Sequence, residues 1–354
     1  MSAPQKKPKN LPAIALTPDD VIPHARCPVC DGNDLLPYFE LTFHQITIPY
    51  QRCRDCDLVF MNPVPNQDWY DRLYSQTFWE TKSAKSAPEK TQARQKQLIK
   101  ELQRTDKLCA TLDAAGCSPK PGARLLEIGC AFGLIISSIA EHYQAAAFGV
   151  EPSGLAAGFA QTLGGVEIIA STIDQLSEME PGADQKMDVI LFSHVMENVV
   201  DLNKVFKAID RWLAPDGVVL METPNSTVQN STHIYHPYCF SQDSLRRLYG
   251  GNGFEIVSLR ASGRPSSTLL PRYLTLVARR GTGGKQASRS GTNSGFDRRL
   301  GHGWRQAIKR TPLVLVDRIL TSLLYAPDEA AKRRAGDLAQ AHLSDAHLVD
   351  EDGG

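Results

Sequence analysis

Arg124-Leu125-Leu126-Glu127-Ile128-Gly129-Cys130-Ala131-Phe132-Gly133 is the stretch whose reading decides the fold. It reads as a short apolar strand that ends on a carboxylate and enters a turn with small residues at 129, 131 and 133. An apolar helical run, Leu134 to Ala140, follows. Strand, turn and helix start form a cradle of nucleotide size. Small side chains let the backbone approach a ligand, and a helix N-terminus points free N–H groups at it.

The spacing here is Glu-x-Gly-x-Ala-x-Gly. A dinucleotide site uses Gly-x-Gly-x-x-Gly, with pyrophosphate on the helix dipole. A phosphate beside Glu127 is repelled, whereas an ammonium or sulfonium is attracted. The next strand, Ala146 to Val150, also ends on a carboxylate, Glu151, which can accept hydrogen bonds from both hydroxyls of a ribose. Two acids at successive strand ends favour a cationic nucleoside. The competing readings are a nicotinamide cofactor and an α/β turn that binds nothing.

On these residues the chain resembles the class I S-adenosylmethionine-dependent methyltransferases. Glu127, Gly129, Ala131 and Gly133 match the first motif of that family, with Ala131 in place of its usual middle glycine, and Glu151 matches the second. The resemblance implies a Rossmann-like, seven-stranded α/β sheet with helices on both faces and S-adenosylmethionine as cofactor. It places Glu127, Gly129, Cys130, Ala131, Gly133, Glu151, Pro152, Thr172, Ile173 and Ser193 around that cofactor, with the adenine near 171–173. Leu213-Ala214-Pro215-Asp216-Gly217, read as a turn, and the strand ending Glu222-Thr223-Pro224-Asn225 match the fifth-strand region. The strands at 253–259 and 273–278 are expected to form an antiparallel edge.

Upstream, Cys27-Pro28-Val29-Cys30 and Cys53-Arg54-Asp55-Cys56 are two Cys-x-x-Cys knuckles. Four thiolates at this spacing suit one structural Zn²⁺ in a small ribbon. They leave no open position for catalysis at the metal. Free thiols and an iron–sulfur cluster are the alternatives, and His24 and His44 flank the ribbon. The aromatic group Trp69, Tyr70, Tyr74, Phe78 and Trp79 reads either as packing between ribbon and domain or as a lid. The layout resembles zinc-ribbon modules that precede some bacterial methyltransferase domains, and in general arrangement the deoxysugar C-methyltransferases.

The apolar strand Asp188 to Phe192 runs into Ser193-His194-Val195-Met196-Glu197-Asn198, at the strand end where α/β sheets hold ligands. His194 is a candidate general base, a substrate contact or a plain turn residue. The segment 226–241 carries His233, Tyr235, His236, Tyr238 and Cys239 and is expected to build the acceptor site. His233 and His236 are further candidate bases, and with Cys239 they have the spacing of a second zinc site.

A chain of 354 residues is long enough for about two domains. The divisions read are a disordered tail (1–20), ribbon and aromatic helix (21–80), helical connector (81–120), methyltransferase domain (121–280), flexible linker (281–300) and helical extension (301–354). Lys and Arg number 39 and so do Asp and Glu, so the chain has no net pull toward nucleic acid. Without an apolar leader or a membrane-length apolar run, it is expected in the cytoplasm, where thiols stay reduced. The partner expected is a small-molecule methyl acceptor. The stripe Leu313, Val316, Leu320, Leu323 and Leu324 reads as docking on its own domain or on a partner subunit in a homodimer, with weak membrane contact through 301–325 as the alternative. The rival functional class is a ribbon module that binds protein or nucleic acid, with the α/β domain acting on RNA or as a scaffold.

Overall fold

The structure is a computed structural model. It describes residues 15–43, 46–77, 87–228 and 231–281, with 316–317, 320–321, 332–333 and 335–336. His44, Phe78, Trp79, the first 14 residues and most of the expected linker and extension lie outside the described residues.

The N-terminal unit comprises β1 (Val21–Ile22), β2 (Leu35–Phe43), β3 (Ile46–Cys53), β4 (Val59–Met61), β5 (Val64–Pro65) and α1 (Gln67–Thr77). Asn66 caps α1, its Oδ1 accepting from Trp69 N at 2.9 Å. The long helix α2 (Ala87–Ala114) leads to β6 (Arg124–Ile128), α3 (Leu134–Tyr143), β7 (Ala146–Val150), α4 (Gly154–Gly164), β8 (Glu167–Ala170), α5 (Ile173–Glu178) and β9 (Met187–Ser193). Then come α6 (Leu202–Trp212), β10 (Leu213–Pro224), β11 (Tyr238–Cys239), α7 (Gln242–Gly251), β12 (Phe254–Ser262) and β13 (Tyr273–Arg280).

Seven strands form one sheet in the order β12-β13-β10-β9-β6-β7-β8. The strands from β10 to β8 are mutually parallel, so each crosses over through a helix. Successive residues face opposite sides, and both sides are apolar. Leu125, Val189, Leu191, Val218 and Leu220 pack with α2 and α3. Leu126, Ile190, Phe192, Val219 and Met221 pack with α5, α6 and α7. A strand covered on both faces reads as an unbroken apolar run, which is why these were legible.

The final pair forms the antiparallel edge expected of it: β13 runs antiparallel to both β10 and β12. One expectation needs correction. The segment 213–217 is not a separate turn before the strand. It belongs to β10, whose pairing with β9 shifts register between Leu213 and Val218. The extra residues bulge, and Pro215 is accommodated there without breaking the strand.

The larger surprise is β11. It leaves the loop after β10 and pairs antiparallel with β4, Tyr238 opposite Phe60 and Cys239 opposite Val59. The methyltransferase-like part therefore supplies the last strand of the four-stranded ribbon sheet, β11-β4-β3-β2. Tyr50 Oη donates to the carbonyls of His233 (2.8 Å) and His236 (2.9 Å), and Tyr70 Oη donates to that of Ile234 (3.0 Å). Trp69 and Tyr70 are buried in this seam with Ile48, Leu73 and Ile234, which is the packing reading of the aromatic group. In the C-terminal extension, Ala335 is buried against Leu98, Leu102 and Leu134.

Because the seam is one hydrogen-bonded sheet, ribbon and domain are expected to melt in a single transition. Tyr50→Phe leaves two carbonyls short of a donor and should cost about 1–3 kcal/mol. Calorimetric melting of the variant checks both points.

Candidate functional site

The turn after β6 has left-handed backbone at Gly129 (φ 69°), Ala131 (φ 48°) and Gly133 (φ 73°). Glycine is required at two of these on steric grounds. A Cβ at Gly129 would lie 2.6 Å from the Val195 side chain, and one at Gly133 would lie 2.8 Å from Val166 and 2.9 Å from Ala160. Ala131 tolerates the same conformation because its methyl group is exposed.

Glu151 ties this turn to the next. Its Oε2 accepts from Ala131 N and its Oε1 from Ser153 N, both at 2.9 Å. Pro152 is exposed beside it. Thr172 caps α5, accepting from Gln175 N, and Ile173 is half-buried. Glu127 is 2% exposed, and its Oε2 has no hydrogen-bond partner among the described residues. Burial, and Glu101 nearby, push its carboxyl well above the ordinary range. Ser193 Oγ, buried at the end of β9, likewise has no partner. Cys130 is buried against Gly149. Orphaned polar atoms beside a bend of small residues fit a ligand with a positive charge and several hydroxyls, and S-adenosylmethionine carries both.

The adjacent strand end carries His194, in left-handed backbone (φ 59°), where a non-glycine residue is strained. Its N–H donates to Glu222 O at 2.9 Å. Its ring lies between two buried carboxylates, with Nδ1 3.2 Å from Glu197 Oε1 and Nε2 3.5 Å from Glu222 Oε1. Tyr273 stands edge-on to it at 5.3 Å between centroids. Glu197 also accepts from Thr223 Oγ1 at 3.0 Å. Burial acts to raise Glu197, but the His194 hydrogen bond leaves it lowered. An ionised Glu197 favours a proton on Nδ1, against the pull of Glu222 for one on Nε2. The His194 pKa is itself lowered, chiefly by burial; Arg104 and Lys107 add to this against the pull of Glu197.

Glu222 is fully buried. Arg104 Nε is 3.0 Å from its Oε1, Lys107 Nζ meets its Oε2, and Thr275 Oγ1 donates to Oε2 at 3.1 Å. Burial, then Arg104, pull Lys107 down to about 7. Sequence reading missed Arg104, Lys107, Glu222 and Tyr273 as site residues. The available signal was a pair of cations three apart on the helical connector.

His233 and His236 sit in the seam loop. Tyr235 N donates to His233 Nδ1 at 3.3 Å, and His236 Nδ1 is 2.7 Å from Ser231 O. Cys239 is buried in β11, so the 233–239 residues form no second zinc cluster among the described residues. The loop expected to build the acceptor site spends Tyr238 and Cys239 on the ribbon instead.

Cys27, Cys30, Cys53 and Cys56 come together, all four Sγ atoms within 4.8 Å of one another. The pairs Cys27–Cys56 and Cys30–Cys53 are 3.6 Å apart. A tetrahedron with Zn–S bonds of about 2.3 Å has edges of about 3.8 Å, so the thiols are set for that ion. His24 stays apart, edge-on to Phe60 at 6.0 Å.

Residues 99–259 match the family model described as a methyltransferase domain. Two relatives are both ubiquinone biosynthesis O-methyltransferases. That of Rhizobium etli is 31% identical over 131 residues, covering 35% of this chain and 51% of the relative. That of Brucella anthropi is 30% identical over 132 residues, with the same coverage of 35% and 51%. The chain thus spans about half the length of the curated relatives it matches. Among solved structures, Burkholderia thailandensis 1,6-didemethyltoxoflavin-N1-methyltransferase has a TM-score of 0.45 at 18% identity, covering 69% of this chain and 99% of that one. Magnesium protoporphyrin IX methyltransferase of Synechocystis has a TM-score of 0.41 at 17% identity, covering 61% and 100%. The fold is defined by the strand order above, not by these distant likenesses.

The cysteines precede the matched region, so their metal is tested directly. Elemental analysis of the purified chain should find one zinc per molecule, and Cys53→Ser should lose it with several kcal/mol of stability.

Proposed function

We propose that this methyltransferase domain moves a methyl group from S-adenosylmethionine to a small polar acceptor, with the ribbon zinc serving structure alone. The observation that carries the reading is Glu127: a buried carboxylate with an unsatisfied oxygen, at the head of a cradle where side chains are sterically barred. Gly129, Cys130, Ala131 and Gly133 would follow the cofactor with backbone, Glu151 and Pro152 would take the ribose, and Thr172 and Ile173 the adenine. Ser193 and Glu127 would face its polar end.

The cofactor, when bound, supplies a methyl group already activated on a sulfonium. The chain's own task is to align the acceptor and take its proton. Neutral His194 suits that task, since Glu197 favours the tautomer that leaves Nε2 able to accept. Val195, which follows His194, touches the cradle at Gly129, so base and cofactor sites share a wall. A hydroxyl acceptor fits such a base, and the relatives' printed activity is O-methylation. Methylation of a sugar carbon remains the alternative drawn from the ribbon layout. His233 and His236 become supporting residues of the acceptor loop in this reading. The nucleic-acid reading is disfavoured by zero net charge, and among the described residues no helix is long and apolar enough to cross a membrane.

Binding is the first test. Titration calorimetry should detect S-adenosylmethionine and its demethylated product, and Gly129→Ala should weaken both at least about tenfold by steric clash. A cation that binds ionised Glu127 displaces its proton. Affinity for the sulfonium should therefore rise with pH above the ordinary carboxylate range, and Glu127→Gln should flatten that rise. Heat with a pyridine dinucleotide and none with the sulfonium overturns the proposal.

Catalysis is the second. Incubation with small-molecule extract and mass spectrometry should reveal a product heavier by one methylene. His194→Gln should then lower turnover by about 10² to 10⁴. Because the imidazole pKa is lowered, the base stays neutral to lower pH than usual. The acid limb of kcat/KM should lie below about 6.5.

A further inference from the structure

Asp317 lies in the C-terminal extension, and it is only 1% exposed. It sits against the loop 263–272 that joins β12 to β13. Its Oδ1 accepts from Thr268 N and Leu269 N, both at 2.8 Å. Ser267 Oγ is 2.9 Å from Oδ1 and 2.7 Å from Oδ2, and Arg272 approaches at 3.7 Å. Thr321, one helical turn on, meets Thr268 through their hydroxyls at 3.1 Å. Val316 remains 46% exposed. These contacts put Asp317 and Thr321 on the protein's own loop rather than on a membrane surface.

The same loop is a wall of the pocket that holds His194. Tyr273, next to Arg272, places its ring edge-on to His194, and its Oη donates to Ser266 Oγ at 2.8 Å. The Arg264 carbonyl accepts from Lys107 Nζ at 3.2 Å, and that ammonium lies 5.1 Å from the Tyr273 ring centroid. Asn225 clamps the far end: its N–H donates to Arg272 O at 2.7 Å and its Nδ2 to Pro271 O at 2.8 Å. Between these clamps, the backbone N–H groups of 268 and 269 take their acceptor from Asp317. A carboxylate that accepts two backbone N–H bonds and a hydroxyl is strongly held. Burial alone would raise its pKa, yet those bonds and Arg272 leave it lowered.

We infer that Asp317 is a positioning residue of the acceptor site: from outside the sheet it sets the loop that holds Tyr273 against His194 and Arg264 against Lys107. It touches no reacting atom. The inference rests on His194 being the base of the reaction proposed above. It also gives the C-terminal extension a role in the site in place of a tail, a dimer contact or a membrane anchor.

The groups facing His194 are Glu197, Glu222, Arg104, Lys107 and Tyr273, so its ring reports on the wall. The test uses the full chain with ¹³C-labelled histidine, the His194 signal being assigned through His194→Gln. In Asp317→Ala, and in part in Asp317→Asn, the ring-shifted His194 resonance should move as Tyr273 leaves. Its titration midpoint should rise by about half a unit or more as water enters and burial is relieved. Ser267→Ala, which keeps the Asp317 bonds to Thr268 N and Leu269 N but loses the one from Leu270 N to Ser267 Oγ, should show the same displacement in smaller measure and covers the case that the Asp317 variants do not fold. A wild-type resonance and midpoint in every folded variant overturns the inference, and faster amide exchange at 266–272 would then mark Asp317 as a tether only. Calorimetry with S-adenosylhomocysteine separates the two claims. The variants should bind it within about twofold of wild type, whereas failure of the wild-type chain to bind counts against the cofactor reading, not against Asp317.

Discussion

A fully buried carboxylate must be compensated, and Glu222 is compensated by two elements at once. It stands at the end of β10. Helix α2 contributes Arg104 and Lys107, and β13 contributes Thr275. Replacing one partner leaves charge uncovered on a fully buried carboxylate. Helix α2 is thus held over the strand ends by ions as well as by Leu108 and Leu112, which pack on the sheet. Its two cations are also the groups that, with burial, keep His194 neutral. The position of α2 and the lowered pKa of His194 are consequences of the same contacts.

The second constraint is that the ribbon has no core separate from the domain. Cys27, Cys53, Cys56, Leu58 and Phe60 belong to one apolar cluster with Tyr238, Phe240 and the α6 and α7 side chains. On the other side of the ribbon sheet, Ile48, Tyr50 and Trp69 enclose Ile234 and Cys239. The ribbon is joined to the loop 231–240 by a strand pairing and three tyrosine hydrogen bonds, so a metal on the knuckles would order that loop too. A closed tetrathiolate site can influence an active site in this way while taking no part in its chemistry.

Local signals made much of this legible. The central strands are unbroken apolar runs, the cradle is marked by its small residues, and the knuckles by their spacing. What escaped reading is non-local. Lys107 and Glu222 are 115 positions apart, and Asp317 is 50 from Ser267. No periodicity links such residues. Tyr238 and Cys239 read as pocket residues because two-residue strands have too few positions to show alternation. Pro215 and Gly217 gave a correct turn signal, but the fold absorbed it as a bulge within β10.

His194 shows why the site needs all of these parts. Its left-handed backbone is unfavourable for a side chain of this size and persists only where the surroundings over-determine it. Three contacts do so: its N–H on the Glu222 carbonyl, Asn198 Nδ2 on its own carbonyl at 3.1 Å, and Nδ1 on Glu197. Asn198 serves here as a clamp on the turn. With formal charges of +2 from Arg104 and Lys107 and −2 from Glu197 and Glu222, the cluster balances without a proton on the imidazole. A third positive charge would have to be placed next to the two cations, which Coulomb repulsion opposes. The charge count of its neighbours therefore works against a protonated imidazole. That count depends on α2 remaining fastened to Glu222.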